Sequence, residues 1–174
     1  MAGRGEKTQG VDKPTSAELA KMTRPEMTPF VAASVGRLSN LYPHWLLLHV
    51  ETPLGIPSSR LIVLWLLLSE QTLTMGEIAK AIDLTPRGVT RIVDGLESDG
   101  LAKRITSEID RRIKMVELTP KGQKFLASSL PEALVKFSEL FSVLDKTEAI
   151  EFVRLIEKLT DQMKVQIDGS SLAT

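Results

Sequence analysis

Two helix starts that lie close together near the middle of the chain constrain its fold more than any other feature. Residues 74–77 read TMGE, a capping box in which the threonine hydroxyl and the glutamate carboxylate each satisfy a backbone N–H at a helix start. Thr85 and Pro86 begin a second helix, because threonine caps the N-terminus and proline presets φ at the first helical position. The connection at 83–84 is so short that the two helices are predicted to cross steeply, as a helix-turn-helix pair does.

The second helix is predicted to have one apolar face and one polar face. At about 100° per residue, the side opposite the apolar residues carries Arg87, Thr90, Arg91 and Asp94. Those apolar residues are Val89, Ile92, Val93 and Leu96. Basic residues occupy the first turns and acidic residues the last, an order that opposes the helix dipole. A phosphate or guanine partner would explain that order, and the alternative is a surface helix with incidental charges.

A charged hairpin is predicted after the second helix. Residues 101–105 and 113–118 read as two strands, although their alternation does not settle which side is buried. Arg111 and Arg112 lie at the tip of the connecting loop, where they could enter a minor groove or bind phosphates. Asp110 is close enough in sequence to orient one of the two guanidinium groups. The alternative is a solvated basic turn.

Helical segments are predicted on both sides of this central region. Apolar residues recur at three- and four-residue spacing over 16–50 and again after 120, and the leucine-rich run at 61–68 favours a helix over a strand. Proline, glycine and serine predict a loop at 52–59. The last helix has a narrow apolar seam, which is typical of helix-on-helix association. Its residues are Phe152, Ile156, Leu159 and Met163.

The composition excludes several classes of function. The 22 Lys and Arg residues balance the 22 Asp and Glu residues, so any affinity for DNA must come from locally sorted charge. The chain has no cysteine, which excludes disulfides, thiol nucleophiles and cysteine redox sensing. No glycine-rich phosphate loop or histidine dyad is evident, so neither an enzyme nor a cofactor is predicted. The apolar runs fall short of the roughly 20 residues of a membrane span, which predicts a cytoplasmic protein without membrane contact.

The stretch LTPRGVTRIVDGLESDGLAKRITSEIDRRIKMVELTPKG resembles the MarR family of transcription regulators. The resemblance rests on T-R-x-V-x-x-L-E-x-x-G-L at 90–101, D-R-R at 110–112 and L-T-x-x-G at 118–122. It implies a mainly α fold with a small β-hairpin wing, a winged helix-turn-helix flanked by N- and C-terminal dimerisation helices. It also implies a homodimer that represses or activates transcription at a palindromic DNA operator, and a repressor is the predicted role. The DNA-binding residues would be Pro86, Arg87, Thr90 and Arg91 on the helix and Arg111 and Arg112 on the wing.

A small-molecule effector is also implied by the resemblance, because many family members bind aromatic or phenolic compounds between the dimer helices and the DNA-binding part. Tyr42, Trp45 and His49 lie at three- and four-residue spacing in the first helical region and could line such a cleft. Ordinary core packing is the preferred alternative. His44 and His49 lie on different sides of a helix, which argues against a shared metal site.

The predicted organisation has five parts. They are a disordered tail at 1–15, an N-terminal dimerisation segment at 16–58, a winged helix-turn-helix DNA-binding domain at 59–122, C-terminal dimerisation helices at 123–168 and a frayed tail at 169–174. A winged-helix module that binds another protein and not DNA is the competing function. The outward-facing arginines of the second helix argue against it.

Overall fold

The structure, a computed structural model, describes residues 13–107 and 110–171. For residues 170–171 it describes the backbone alone. Most of the predicted tail at 1–15 and the last part of the tail at 169–174 lie outside the described residues. Backbone contacts divide the chain into one unit that ends at Trp45 and a second that begins at Leu46. The five predicted parts stay a prediction.

The first unit is helical. Helix α1 (Ser16–Leu19) begins with a capping box, in which the Thr15 hydroxyl accepts a hydrogen bond from the Glu18 N–H. Helix α2 (Arg24–Leu46) follows, and Pro29 and Pro43 both lie inside it.

The second unit contains the remaining helices and a small sheet. This unit begins with a π-helical turn (Leu47–Glu51) and α3 (Thr52–Leu54), and the next helix begins at Ser58. The predicted loop at 52–59 is therefore wrong for its first three and its last two residues. Gly55 adopts a left-handed φ of 65° at the end of α3. The other elements are α4 (Ser58–Glu70), β1 (Thr72–Thr74), α5 (Met75–Ala81), α6 (Pro86–Ser98), β2 (Ala102–Thr106), β3 (Lys114–Leu118), α7 (Pro120–Phe141) and α8 (Lys146–Ser171).

The sheet is antiparallel and has the strand order β1-β3-β2. Val116 on the central strand β3 lies opposite Leu73 on one side and Arg104 on the other. The two strands of the predicted hairpin are confirmed to within one residue at each start, whereas β1 was not predicted. The buried side of β3 carries Val116 and Leu118.

Side chains from α4, α5, α6, β3 and α7 form the core of the second unit. The fully buried side chains include Val63, Leu64, Leu67, Ile78, Val89, Val93, Leu96, Val116 and Leu126. Each stabilises the fold by about 1.5–3 kcal/mol through burial. This core fixes the two helices of the helix-turn-helix against α4 and the sheet.

The L-T-x-x-G motif joins the start of α7 to the end of α6. The Thr119 hydroxyl donates to the Gly100 carbonyl at 2.6 Å and accepts from the Gly122 N–H at 3.0 Å. Gly100 has a φ of 69°, the left-handed conformation that commonly ends a helix. Gly122 is buried against the backbone of Leu101, whose carbonyl oxygen a Cβ at this position would overlap.

Among the residues that the structure describes, no single helix is both long and apolar enough to span a membrane, and one bent pair of helices meets those criteria only when taken together.

Candidate nucleic-acid interface

Helix α6 presents a polar outer face, formed by Pro86, Arg87, Thr90 and Arg91, all of which are exposed. The opposite face is packed into the core, with Val89 and Val93 both at 0% exposure. At the start of the helix the Thr85 hydroxyl accepts a hydrogen bond from the Gly88 N–H at 3.2 Å, as predicted for the cap. The Thr90 hydroxyl donates to the Pro86 carbonyl at 2.9 Å. The predicted division of this helix into two faces is confirmed.

Four arginines of α6 and the hairpin loop have guanidinium groups without a partner in the described parts of the chain. Arg87 and Arg91 lie on the outer face, Arg111 and Arg112 lie in the loop of the hairpin, and all four are exposed. Within residues 13–107 and 110–171 no hydrogen bond or ion pair involves these guanidinium groups. They are therefore available to phosphates or to guanine, both of which accept paired hydrogen bonds from arginine.

The acidic residues at the end of α6 are paired with arginines of neighbouring elements. Arg104 on β2 donates to Asp94 at 2.7 Å and also to Glu97. Arg60 on α4 donates to Asp99 at 2.6 Å. The two halves of α6 therefore differ, because the acidic half is paired with arginines while the basic half has no ion-pair partner in the part of the chain that the structure describes. Each partly exposed pair contributes only about 0–1 kcal/mol to folding, so these contacts bear on orientation more than on stability.

Sequence reasoning missed both Arg60 and Arg104. Three acids near the C-terminal end of one helix were a signal that basic partners lie nearby, because acids there interact unfavourably with the helix dipole unless cations offset their charge. The partners could not be identified from sequence, since Arg60 lies 39 residues before Asp99. Their pairing depends on how α4 and β2 pack against α6.

The wing, defined here as β2, β3 and their connecting loop, is shaped by backbone hydrogen bonds. The Asp110 carboxylate accepts from the Arg112 N–H at 2.9 Å, and the Asp110 carbonyl accepts from the Ile113 N–H at 2.9 Å. The expectation that Asp110 orients a guanidinium is corrected, since its carboxylate bonds to the main chain and to neither arginine side chain among the described residues. Residues 108–109 of this loop lie outside the described residues.

The three residues proposed for an effector site are divided between the two units. Tyr42 and Trp45 belong to the first unit, where their rings stack with centroids 6.3 Å apart and planes 7° apart. Burial raises the pKa of the half-buried Tyr42 hydroxyl. His49 lies in the π-helical turn of the second unit and is exposed.

A cavity of about 450 Å³ lies between the helix-turn-helix and α8. It is lined by Ala79, Lys80, Asp83, Leu84, Thr160, Met163, Lys164, Ile167 and Asp168, and by none of the proposed effector residues. Lys164 pairs with Asp83 across it at 3.0 Å, and the hydrogen bond that Lys164 donates to this carboxylate raises the pKa of Lys164. No group of three or more His, Asp and Glu residues suited to a metal ion occurs in the described sequence.

Comparison with known proteins relates this interface to transcription regulators. A model of the MarR family matches residues 54–113. The HTH-type transcriptional regulator PrsX of Escherichia coli is 32% identical over 113 residues, which cover 62% of this chain and 68% of that protein. The transcriptional repressor MprA of Escherichia coli is 33% identical over 95 residues, or 54% of each protein. The chain therefore spans about half the length of this repressor.

Solved structures with the same fold include regulators in two bound states. MarR from E. coli, complexed with operator DNA, has a TM-score of 0.68 and 22% identity, and the match covers 77% of this chain and 95% of that one. PcaV from Streptomyces coelicolor, in complex with its natural ligand, has a TM-score of 0.70 and 18% identity, with 80% and 98% covered. At these identities the likeness shows a winged-helix fold shared with this chain.

Proposed function

The chain belongs to the MarR family of transcriptional regulators, and from this we propose that it is a sequence-specific DNA-binding repressor that acts as a homodimer on a palindromic operator. Family membership supports the general activity. The contacts with DNA are argued from the outer face of α6 and from the wing.

The observation that carries this proposal is the pair of exposed arginines on the outer face of α6, whose guanidinium groups have no partner within residues 13–107 and 110–171. A helix of this width fits the major groove of B-DNA, where guanine presents two acceptors to a guanidinium. Arg87 and Arg91 have exposed guanidinium groups at the N-terminal end of the helix, where helix-turn-helix proteins contact base edges. Because the acidic residues of α6 are neutralised by Arg60 and Arg104, they repel phosphates less than free carboxylates would.

The wing supplies the second part of the proposed contact. Arg111 and Arg112 are exposed at the loop, which suits insertion into a narrow minor groove or contact with its phosphates. The Asp110 carboxylate stabilises the turn by accepting a hydrogen bond from the Arg112 N–H.

Dimerisation is supported by the apolar seam of α8. Phe152, Ile156, Leu159 and Met163 are exposed by 37%, 41%, 39% and 51%, although they follow the spacing of a buried helix seam. A second copy of the chain would cover them. Two copies would present their α6 helices to half-sites about 34 Å apart, one turn of DNA.

A small, aromatic effector that releases the DNA belongs to the same proposal. Tyr42, Trp45 and His49 remain the residues proposed to contact it, and the stacked pair of Tyr42 and Trp45 offers an aromatic surface. Binding of such compounds to the dimer, measured by quenching of tryptophan fluorescence, tests this part separately.

Selection of bound duplexes from a random pool tests the DNA-binding proposal. We expect an enriched inverted repeat whose half-sites are about ten base pairs apart, centre to centre. A pool without any enriched sequence, from protein that is folded and dimeric, would favour the competing function of a winged-helix module that binds another protein.

A further inference from the structure

We infer that Arg104 is a positioning residue for DNA recognition, which fixes the wing against the recognition helix α6 without itself contacting DNA. This inference rests on the proposed function. It concerns how the two DNA-binding elements are kept at one separation, and it assigns a role to a residue outside both contact surfaces.

Arg104 and Glu97 are joined by both main-chain and side-chain contacts. The Arg104 N–H donates to Glu97 Oε1 at 2.7 Å, and Arg104 Nη1 donates to Glu97 Oε2. Because β2 is an edge strand, this N–H has no partner strand on that side, and Glu97 provides its acceptor. The Glu97 carboxylate of α6 therefore fixes both the backbone and the side chain of Arg104 in the wing.

Asp94 adds a second contact one helical turn earlier. Arg104 Nη2 donates to Asp94 Oδ1 at 2.7 Å, so the guanidinium spans two acids of the same helix face. The side chain of Arg104 is 29% exposed, and Glu97 is 32% exposed. The two carboxylates offset the positive charge of this guanidinium and take up one donor on each of its two terminal nitrogens, which makes it less available to a phosphate than an arginine without an acidic partner.

Arg60 fixes the same end of α6 from the other side. It lies across Gly95, where a Cβ would overlap the guanidinium, and it donates to Asp99 at 2.6 Å. The last turns of α6 are thus joined to α4 as well as to β2. The first turns, which carry the unpaired Arg87 and Arg91, receive their position relative to the wing from these contacts.

A fixed separation between α6 and the wing affects specific and non-specific binding differently. When α6 or the wing has bound DNA, a rigid link holds the other element near its own contact site at a high effective concentration. Less conformational freedom is then lost on binding than with a flexible link. Non-specific binding depends mainly on phosphate charge and needs no such register. Loss of the link should therefore weaken binding to the operator and leave binding to random DNA nearly unchanged.

Glu97→Gln distinguishes a positioning role from a simple effect of charge, because the two predict opposite changes in affinity for the operator. Removal of an acidic charge near DNA should strengthen binding to every duplex if charge alone matters. A positioning role predicts instead a loss of about tenfold in the preference for the selected operator over random DNA, the scale of one charge-assisted hydrogen bond. Glu117→Gln is the matched control, because Glu117 pairs with Lys103 at 2.9 Å on the same hairpin and, among the described residues, makes no hydrogen bond or ion pair with α6.

Arg104→Ala and Arg104→Lys complete the experiment, with dissociation constants measured on both duplexes across a salt series. We expect both variants to lose operator preference, since a single ammonium cannot replace contacts made by two separate guanidinium nitrogens. The salt slope should stay unchanged, and the double variant with Glu97→Gln should lose no more than Arg104→Ala alone.

The positioning role would be overturned if Arg104→Ala weakened binding to both duplexes equally and lowered the salt slope by about one phosphate contact. It would also be overturned if Arg104→Lys retained the full preference for the operator over random DNA. Tighter binding of Glu97→Gln to both duplexes would also overturn it. Thermal unfolding of each variant identifies any that does not fold. If Arg104→Ala does not fold, Glu97→Gln still decides between the two explanations. Absence of DNA binding by the unchanged protein would instead refute the proposed function.

Discussion

Gly122 shows how the absence of a side chain allows the start of α7 to pack against Leu101, just after α6 and its cap. Its Cα lies against the Leu101 carbonyl, which is backbone and cannot move aside as a flexible side chain would. We predict that Gly122→Ala lowers the free energy of unfolding by about 1–3 kcal/mol. Gly36→Ala is the control, since nothing lies within 4 Å of its added Cβ, and in a helix it should raise stability by about 0.5–1 kcal/mol. Urea denaturation measures both, and equal effects would refute the close approach.

Arg91 is the residue on the outer face where base recognition is most directly tested. If its guanidinium binds one guanine through two hydrogen bonds, Arg91→Ala should cost about 1–3 kcal/mol on the operator and relax the preference at one base position. Fluorescence anisotropy with single-base operator variants measures this. An equal loss on operator and random duplexes would make Arg91 a phosphate contact.

At the scale of single elements, the cap of α5 predicts a pH dependence. The Thr74 N–H donates to Glu77 at 2.7 Å, and this bond, with a second from the Thr74 hydroxyl, lowers the pKa of the Glu77 carboxyl. A lowered folded pKa means that the contribution of Glu77 is present above its unfolded pKa of about 4.3 and is lost as the pH falls through the lower folded value.

Glu77→Ala should therefore reduce stability at pH 7, and the difference from the unchanged protein should shrink as the pH falls below about 4. Denaturant unfolding at several pH values measures the difference. Glu132→Ala is the control, because the Glu132 carboxylate has no hydrogen-bond partner within 13–107 and 110–171. A difference for Glu77→Ala that stayed constant down to pH 3 would contradict the role of the charged form.

Elements whose signals are local were predictable from the sequence, and those that depend on distant partners were not. The capping box at 74–77 and the apolar spacing of α6 depend on neighbours within one or two helical turns, and both were confirmed. Strand β1 was missed because it is three residues long and exists only through pairing with β3, far along the chain. The outer face of α6 followed from periodicity, whereas the partners of its acids required the packing of α4 and β2.

At the scale of the whole molecule, the seam of α8 predicts the oligomeric state. Replacement of Ile156 by lysine places a charge in the proposed dimer contact, where burial without a partner is costly. We predict a shift from dimer to monomer in analytical ultracentrifugation, together with weaker operator binding. Glu157→Lys, next to the seam but not in it, should leave the dimer intact. A dimer unaffected by Ile156→Lys would place the dimer contact elsewhere.

The central claim is that the unpaired arginines of α6 bind DNA, and the salt dependence of operator affinity tests it most directly. The logarithm of the binding constant should fall linearly with the logarithm of salt concentration, by about 0.9 for each phosphate contacted. The variant with both Arg87→Ala and Arg91→Ala should bind more weakly and lose its preference for the operator over random DNA. An operator affinity that hardly changes with salt, or a double variant that binds like the unchanged protein, would contradict the claim.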